Sequence, residues 1–175
     1  LVQDDALAGV DTQGAAKTLA AAVQHIGDVD LVLFGKQAID GDSGVTHAQT
    51  ARVLGIPAVT LVAKAELDGS TLKAERVMEE GRQIVEAALP AVVSIVKDYG
   101  EPRYPSFMGI RKAAKAEIPT LTLADLGIAA PTPVVQWDAV MNPPDKAVEN
   151  EIISGGTPEE MAAQLADKIM AEKVL

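Results

Sequence analysis

The order of apolar runs, glycine loops and amphipathic stretches in this sequence predicts an α/β fold. Three observations carry that reading. Between residues 29 and 63 a short apolar run, a glycine-rich loop, a helical pattern and a second apolar run follow one another, the strand–helix–strand order of a parallel sheet. The apolar runs are close to continuous, as in strands covered on both faces. A third such run, Ala91 to Val96, lies further along the chain. The expected architecture is a Rossmann-like parallel sheet with flanking helices, followed by an extended C-terminal arm and a helix.

Taken in order, residues 11–26 give the clearest helix. Asp11 or Thr12 caps it, and Ala15, Leu19, Ala22, Val23 and Ile26 recur at helical spacing before Gly27. Val29 to Phe34 reads as a buried strand interrupted only by Asp30. Gly35 to Thr46 is a turn-rich loop. A second helix begins at Thr46 or His47 and ends near Gly55, and Pro57 opens the strand Ala58 to Ala63. From Glu66 to Leu89 the pattern becomes extended segments around Asp68-Gly69-Ser70, with alternation in Leu72-Lys73-Ala74-Glu75-Arg76-Val77, which predicts a hairpin or short antiparallel pair. A helix is expected from Ser106 to about Lys115. Residues 119–144 hold five prolines and weak periodicity, so they read as an irregular arm. Thr157-Pro158-Glu159-Glu160 is a helix start with a capping threonine, a first-turn proline and acids at the positive dipole end; that helix is expected to run to about Lys173. The expected organisation is an α/β domain over 1–118, an arm over 119–156 and a terminal helix over 157–175.

Composition narrows the function classes. The formal net charge is −10, which opposes binding to nucleic acid or an anionic membrane, both of which need clustered Lys and Arg. There are no cysteines, which removes disulfides, iron–sulfur ligation and thiolate metal sites. Two histidines, His25 and His47, are too few for a histidine-rich metal centre. No apolar run reaches the ~18 residues of a membrane span, and no signal peptide is evident, so a soluble, intracellular protein without membrane insertion is expected. The chain opens on Leu1 rather than Met and reads as part of a longer polypeptide.

The candidate chemistry lies in the loop from Gly35 to Thr46, at the carboxyl end of a strand and the start of a helix. Open parallel sheets bind ligands in that crevice, and free amides at a helix start favour an anion. Ser43 and Thr46 offer hydroxyl donors. Asp40 and Asp42 oppose a phosphate on charge grounds and read instead as loop braces or acceptors from a ribose or water. The loop matches neither a Walker sequence nor the GxGxxG pattern, and a plain strand-to-helix connection is the alternative. His47 could bond a phosphate or ribose. Ser43, His47 and Asp42 are close in sequence, but proximity is not a triad.

The run DLVLFGKQAIDGDSGVTHAQTARVLGIPAVTLV, followed in order by ALPAVVSIV at 88–96, EPRYPSFMGIRKAAKAEI at 101–118 and TLADLGI at 122–128, with LAGVDT near the start, resembles electron-transfer flavoprotein β subunits. The resemblance covers about residues 7–128 and rests on several spaced motifs in register. It implies a non-catalytic electron-carrier subunit that pairs with an α subunit and moves electrons between dehydrogenases and an acceptor. It also implies FAD held mainly on the α subunit, with AMP or a second FAD on this one. The implied nucleotide-binding set is Gly35, Ala38, Ile39, Asp40, Gly41, Asp42, Ser43, Gly44, Val45, Thr46, His47 and Gln49. Asp40-Gly41-Asp42 resembles the bifurcating members' DGDxAQ pattern, while Gly44 and Val45 depart from it, leaving AMP and FAD both open. Tyr104, Pro105, Phe107, Met108, Arg111 and Lys112, within the segment 104–115, resemble the family's loop for gripping flavin and other dehydrogenases, with Phe107 at the apolar anchor. Core packing is the alternative for Phe107, and a solvated helix face is the alternative for Arg111, Lys112 and Lys115. The family's first nucleotide-fold segment is not matched by any part of this sequence. The implied location is the cytoplasm of a bacterium or archaeon, or the mitochondrial matrix of a eukaryote. A stand-alone nucleotide-binding or hydrolysing protein of the related fold and a purely structural subunit are the competing readings.

Overall fold

The computed structural model describes residues 1–144 and 150–172. Its contacts divide the chain into two compact units, Leu1–Trp137 and Asp138–Leu175. The first unit holds a single five-stranded sheet and three α-helices. Helix α1 spans Thr12–Ile26, strand β1 Leu31–Gly35, helix α2 Thr46–Leu54 and strand β2 Ala58–Asp68. Strands β3 (Thr71–Met78), β4 (Gly81–Ala88) and β5 (Ala91–Ile95) follow, then the short helix α3, Phe107–Ala113.

The strands lie in the order β1-β5-β2-β3-β4. β1, β5 and β2 are parallel, with Leu31 opposite Ala91 and Ala58 opposite Val92. The expected parallel sheet is therefore present, but it is part of a mixed sheet. β3 runs antiparallel to β2, and β4 antiparallel to β3, so the expected hairpin continues the sheet instead of standing beside it. β2 is correspondingly longer than the Ala58–Ala63 run. Lys64-Ala65-Glu66-Leu67 alternates as a half-exposed strand does, and these residues pair with β3 from Glu75 to Leu72.

The core is small-residue packing. Val59, Val62, Leu72, Ala74 and Val93 form one buried cluster across β2, β3 and β5. Ala16, Ala20 and Ala21 of α1 and Ala51 of α2 are buried, and the two helices pack on each other. Side chains this short let helix backbones come close, which suits a chain with only 3% aromatic residues. α2 also lies against β5 and β2.

The segment that follows α3 is tied to the chain's beginning. Val2 bridges Leu121 in parallel, and the Leu123 amide donates to Asp4 Oδ2 at 3.2 Å. Asp11 performs two tasks. Its Oδ1 caps α1 by accepting from the Gly14 amide at 2.8 Å, and its Oδ2 accepts from the amides of Val134 and Val135 at 2.8 and 3.1 Å. Gly14 is required there, since any Cβ would collide with Val10 and press on Pro131.

In the second unit, helix α4 spans Pro158–Ala171 and opens on the expected motif. Thr157 and Glu160 form a reciprocal capping box, and Pro158 sits in the first turn. Lys168 pairs with Glu151 at 2.7 Å. The helix end expected near Lys173 and residues 145–149 of the arm lie outside the described residues. No helix among the described residues is long and apolar enough to cross a membrane.

The amides of Gly14, Val134 and Val135 hold the Asp11 carboxyl below its ordinary value of 3.8. A depressed folded pKa gives stability that is present above the unfolded value and lost as pH falls through the folded one. Asp11→Ala should lower the melting temperature near neutral pH, and the gap from the parent should narrow as pH falls below about 3.8. A gap unchanged between neutral and strongly acidic pH would show that the ionised carboxylate is not what holds the segment.

Candidate functional site

β1 ends at Gly35 and α2 begins at Thr46, so the candidate loop leaves the carboxyl edge of a parallel strand, as the apolar run and glycines require. Internal bonds engage both acids of this loop. Asp40 Oδ1 accepts from the Gly41 amide at 2.8 Å, Asp42 accepts from the Gln37 side chain, and the Asp42 amide donates to the Ala38 carbonyl at 2.9 Å. Both carboxylates brace the loop, which is one of the two roles open to them from sequence. Two left-handed residues shape the turn, Asp42 at φ 45° and Gly44 at φ 60°.

These bonds leave the outer side of the loop open. Gly35, Ala38, Asp40, Gly41, Asp42 and Ser43 are exposed, and Ile39 is 99% exposed. Gly41 faces open space, with no atom near a Cβ placed on it. Val45 stands at the N-cap of α2 and makes no side-chain capping bond. A helix start normally needs its first amides satisfied by a cap, water or ligand, and an uncapped start at a sheet's carboxyl edge suits an anion. Thr46 is half-buried in this first turn, and its carbonyl accepts from the Thr50 hydroxyl at 2.8 Å.

His47 and Gln49 are less accessible than most of the loop. His47 is buried, and its ring lies 6.3 Å from that of Phe34 in a tilted pair. Burial pushes its pKa below the ordinary value, which favours the neutral ring. Gln49 is half-buried, and its Oε1 is enclosed with no partner among the described residues.

Beside the loop lies a groove of about 910 Å³. Lys36 lines it at the end of β1, and Val96, Lys97 and Asp98 line it beyond the end of β5. Leu61 of β2 and the β3–β4 turn, residues 77–83, complete the lining. Lys97 and Arg82 have no place in the sequence-based candidate set. The signal for Lys97 was its position just after a buried strand; for Arg82 there was none, because the hairpin's place in the sheet was not legible. Arg82 pairs with Glu75 and thereby holds that carboxyl below its ordinary value. A second cleft, of about 550 Å³, lies between α1, α2 and residues 128–134 and does not involve the loop.

The expected partner segment is fully accessible. Ser106 caps α3 by accepting from the Gly109 amide at 3.1 Å, and α3 has no buried residue. Tyr104 is 99% exposed, Phe107 74% and Met108 71%. Phe107 is therefore not a core side chain in this chain. Pro105, Arg111 and Lys112 are exposed beside it.

Comparison with known proteins gives the chain a family. The profile of the electron transfer flavoprotein domain matches residues 1–126. The chain is 34% identical to the caffeyl-CoA reductase–Etf complex subunit CarD of Acetobacterium woodii, over all of this chain and 68% of that protein. It is 35% identical to the electron transfer flavoprotein subunit β of Thermoanaerobacterium thermosaccharolyticum, again over the whole chain and 68% of the relative. With the corresponding subunit of Mycobacterium bovis the identity is 39%, over 73% of this chain and 48% of that one. The chain belongs to the electron transfer flavoprotein family and is an electron-transfer component of the β-subunit type.

Proposed function

We propose that this chain pairs with an electron transfer flavoprotein α subunit to complete a flavin-bearing heterodimer, and that its 35–49 loop binds AMP or a second FAD. The observation that carries the ligand reading is the uncapped start of α2 beside a loop whose two acids each accept a hydrogen bond from within the loop. With the carboxylates turned to loop bracing, the remaining amides from Ile39 to Thr46 present positive partial charge to a phosphate. Ser43 adds an exposed hydroxyl. The FAD of the heterodimer, held mainly by the α subunit, supplies the redox chemistry, and this chain contributes binding and orientation. The relative from Acetobacterium woodii is a subunit of a reductase–Etf complex, which supports a role for this chain in delivering electrons to or from a larger enzyme. We place contact with that enzyme, a flavin or other dehydrogenase, on residues 104–115.

Gly41 is the discriminating position for the loop. Its Cβ space is empty of protein atoms, and its φ lies outside the left-handed range, so Gly41→Val should fold normally and obstruct only what approaches from outside. The purified heterodimer of this variant should retain adenine nucleotide about tenfold more weakly, or less tightly still. Full occupancy, measured by chromatography of released ligands, would remove the loop from the binding site. The same assay on the parent distinguishes two bound flavins from one flavin with AMP.

Phe107 tests the docking segment. Pro102 and Pro105 stiffen the approach to α3, so little freedom remains to be lost when Phe107 docks. Phe107→Ala should weaken association with the partner dehydrogenase by about 2 kcal/mol or more, while leaving melting temperature, bound flavin and α-subunit pairing near those of the parent. Normal interprotein electron transfer in that variant would exclude the anchor.

A further inference from the structure

Within the parallel part of the sheet, β2 departs from regular pairing at one point. Val59 pairs with Val93 and Val62 with Ile95, so three steps along β2 correspond to two along β5. Thr60 and Leu61 hold the extra residue. Leu61 adopts φ 59°, a left-handed conformation that is rare and strained for a non-glycine residue.

The polar groups that regular pairing would have used are instead met by side chains from the two neighbouring strands. The Leu61 amide donates to Ser94 Oγ at 3.0 Å, from β5. Ser94 is 0% exposed and interrupts an otherwise apolar strand. From β3, Arg76 Nε donates to the Thr60 carbonyl at 2.8 Å, and its Nη2 donates to Thr60 Oγ1 at 2.9 Å. The residue clamped in this way lines the groove together with Lys36 and Val96. Lys36 is also the residue that enters the ligand loop. Strain kept in place by two independent side chains, at the carboxyl edge of a parallel sheet, points to a shape that the site needs.

We propose that Ser94 and Arg76 are positioning residues for the nucleotide or flavin site. They act through Thr60 and Leu61, fixing the bulge that forms the groove's wall beside the loop. The inference rests on the ligand reading of the loop given above. Without the Ser94 hydroxyl the Leu61 amide loses its acceptor, the left-handed conformation loses its support, and the groove changes shape.

The test uses the heterodimer stripped of adenine nucleotide, titrated calorimetrically with AMP and, separately, with FAD. For whichever probe the parent binds, Ser94→Ala should raise Kd by about tenfold or more. Ser94→Thr keeps the hydroxyl and should restore binding to near the parent's. Arg76→Gln removes the Nη2 donor to Thr60 Oγ1 and leaves at most one amide donor where the guanidinium gave two bonds, so it should weaken binding by an independent route. Leu72→Val, a truncation in the buried cluster, should lower the melting temperature and leave Kd unchanged, which separates a positioning role for Ser94 from a merely structural one. Parent-like affinity in both Ser94→Ala and Arg76→Gln overturns the proposal. So does equal loss in Ser94→Thr and Ser94→Ala, or a rise in Kd for Leu72→Val matching that of Ser94→Ala. A parent heterodimer that binds neither probe defeats the ligand reading itself, and the positioning role with it.

Discussion

β2 changes partners partway along its length, and much of the structure depends on how that change is accommodated. Its first residues are a parallel strand beside β5, and its later ones an antiparallel strand beside β3. Register shifts occur on both flanks, between Val59 and Val62 towards β5 and between Val62 and Lys64 towards β3. A bulge bends a strand and increases its twist, and it leaves backbone groups that must find partners elsewhere. Here Ser94 and Arg76 provide them. The buried cluster of Val59, Val62, Leu72, Ala74 and Val93 spans the same region. The core and the groove therefore follow from one solution to one pairing problem.

The helices show a related economy. α1 and α2 meet through alanines, so their packing relies on close approach more than on large side chains. Such an interface contributes less apolar area per residue than one built from Leu or Phe, which raises the importance of specific polar ties at its margins. Asp11 is one of these, joining the start of α1 to Val134 and Val135. At the start of α2 the corresponding tie is missing, because Val45 offers no side-chain acceptor. Within one layer of structure the chain caps the helix that closes its own fold and leaves open the helix that faces the candidate ligand.

Local signals were legible in the sequence where one element's chemistry settled the matter. Near-continuous apolar runs marked β1, β2 and β5, and Thr157 to Glu160 marked the start of α4. Asp68-Gly69-Ser70 marked the β2–β3 turn. The strand order was not legible, because β5 enters between β1 and β2 through contacts distant in sequence. Nor was the bulge: a glycine would have advertised a left-handed residue, whereas the residue is Leu61. His47 looked like part of the loop by sequence distance, yet the helical turn that begins at Thr46 directs it inward against Phe34. For Phe107, hydrophobicity alone could not separate core from surface. Its exposure reflects a helix of only seven residues with no apolar face long enough to bury. The family resemblance was legible because spaced motifs survive in register even where the pairing they serve cannot be deduced.

The two surfaces assigned to the proposed function share a physical character: each leaves exposed what folding alone would have covered or capped. At the loop, amides of a helix start lack a side-chain acceptor while both nearby carboxylates are turned to internal bonds. At α3, Tyr104, Phe107 and Met108 are exposed, as are Arg111 and Lys112, in a chain whose net charge is −10. Single exposed apolar residues need no explanation, but three of them within five residues of sequence, followed by two basic residues, suit an interaction surface. A local basic patch on an acidic protein can orient an acidic partner during approach, and the adjacent aromatic then has an apolar pocket to fill at short range. Steering and anchoring in this reading fall to neighbouring residues of one short helix. The proposed nucleotide binding falls to a separate loop set by the sheet, so a substitution in either surface can be read without disturbing the other.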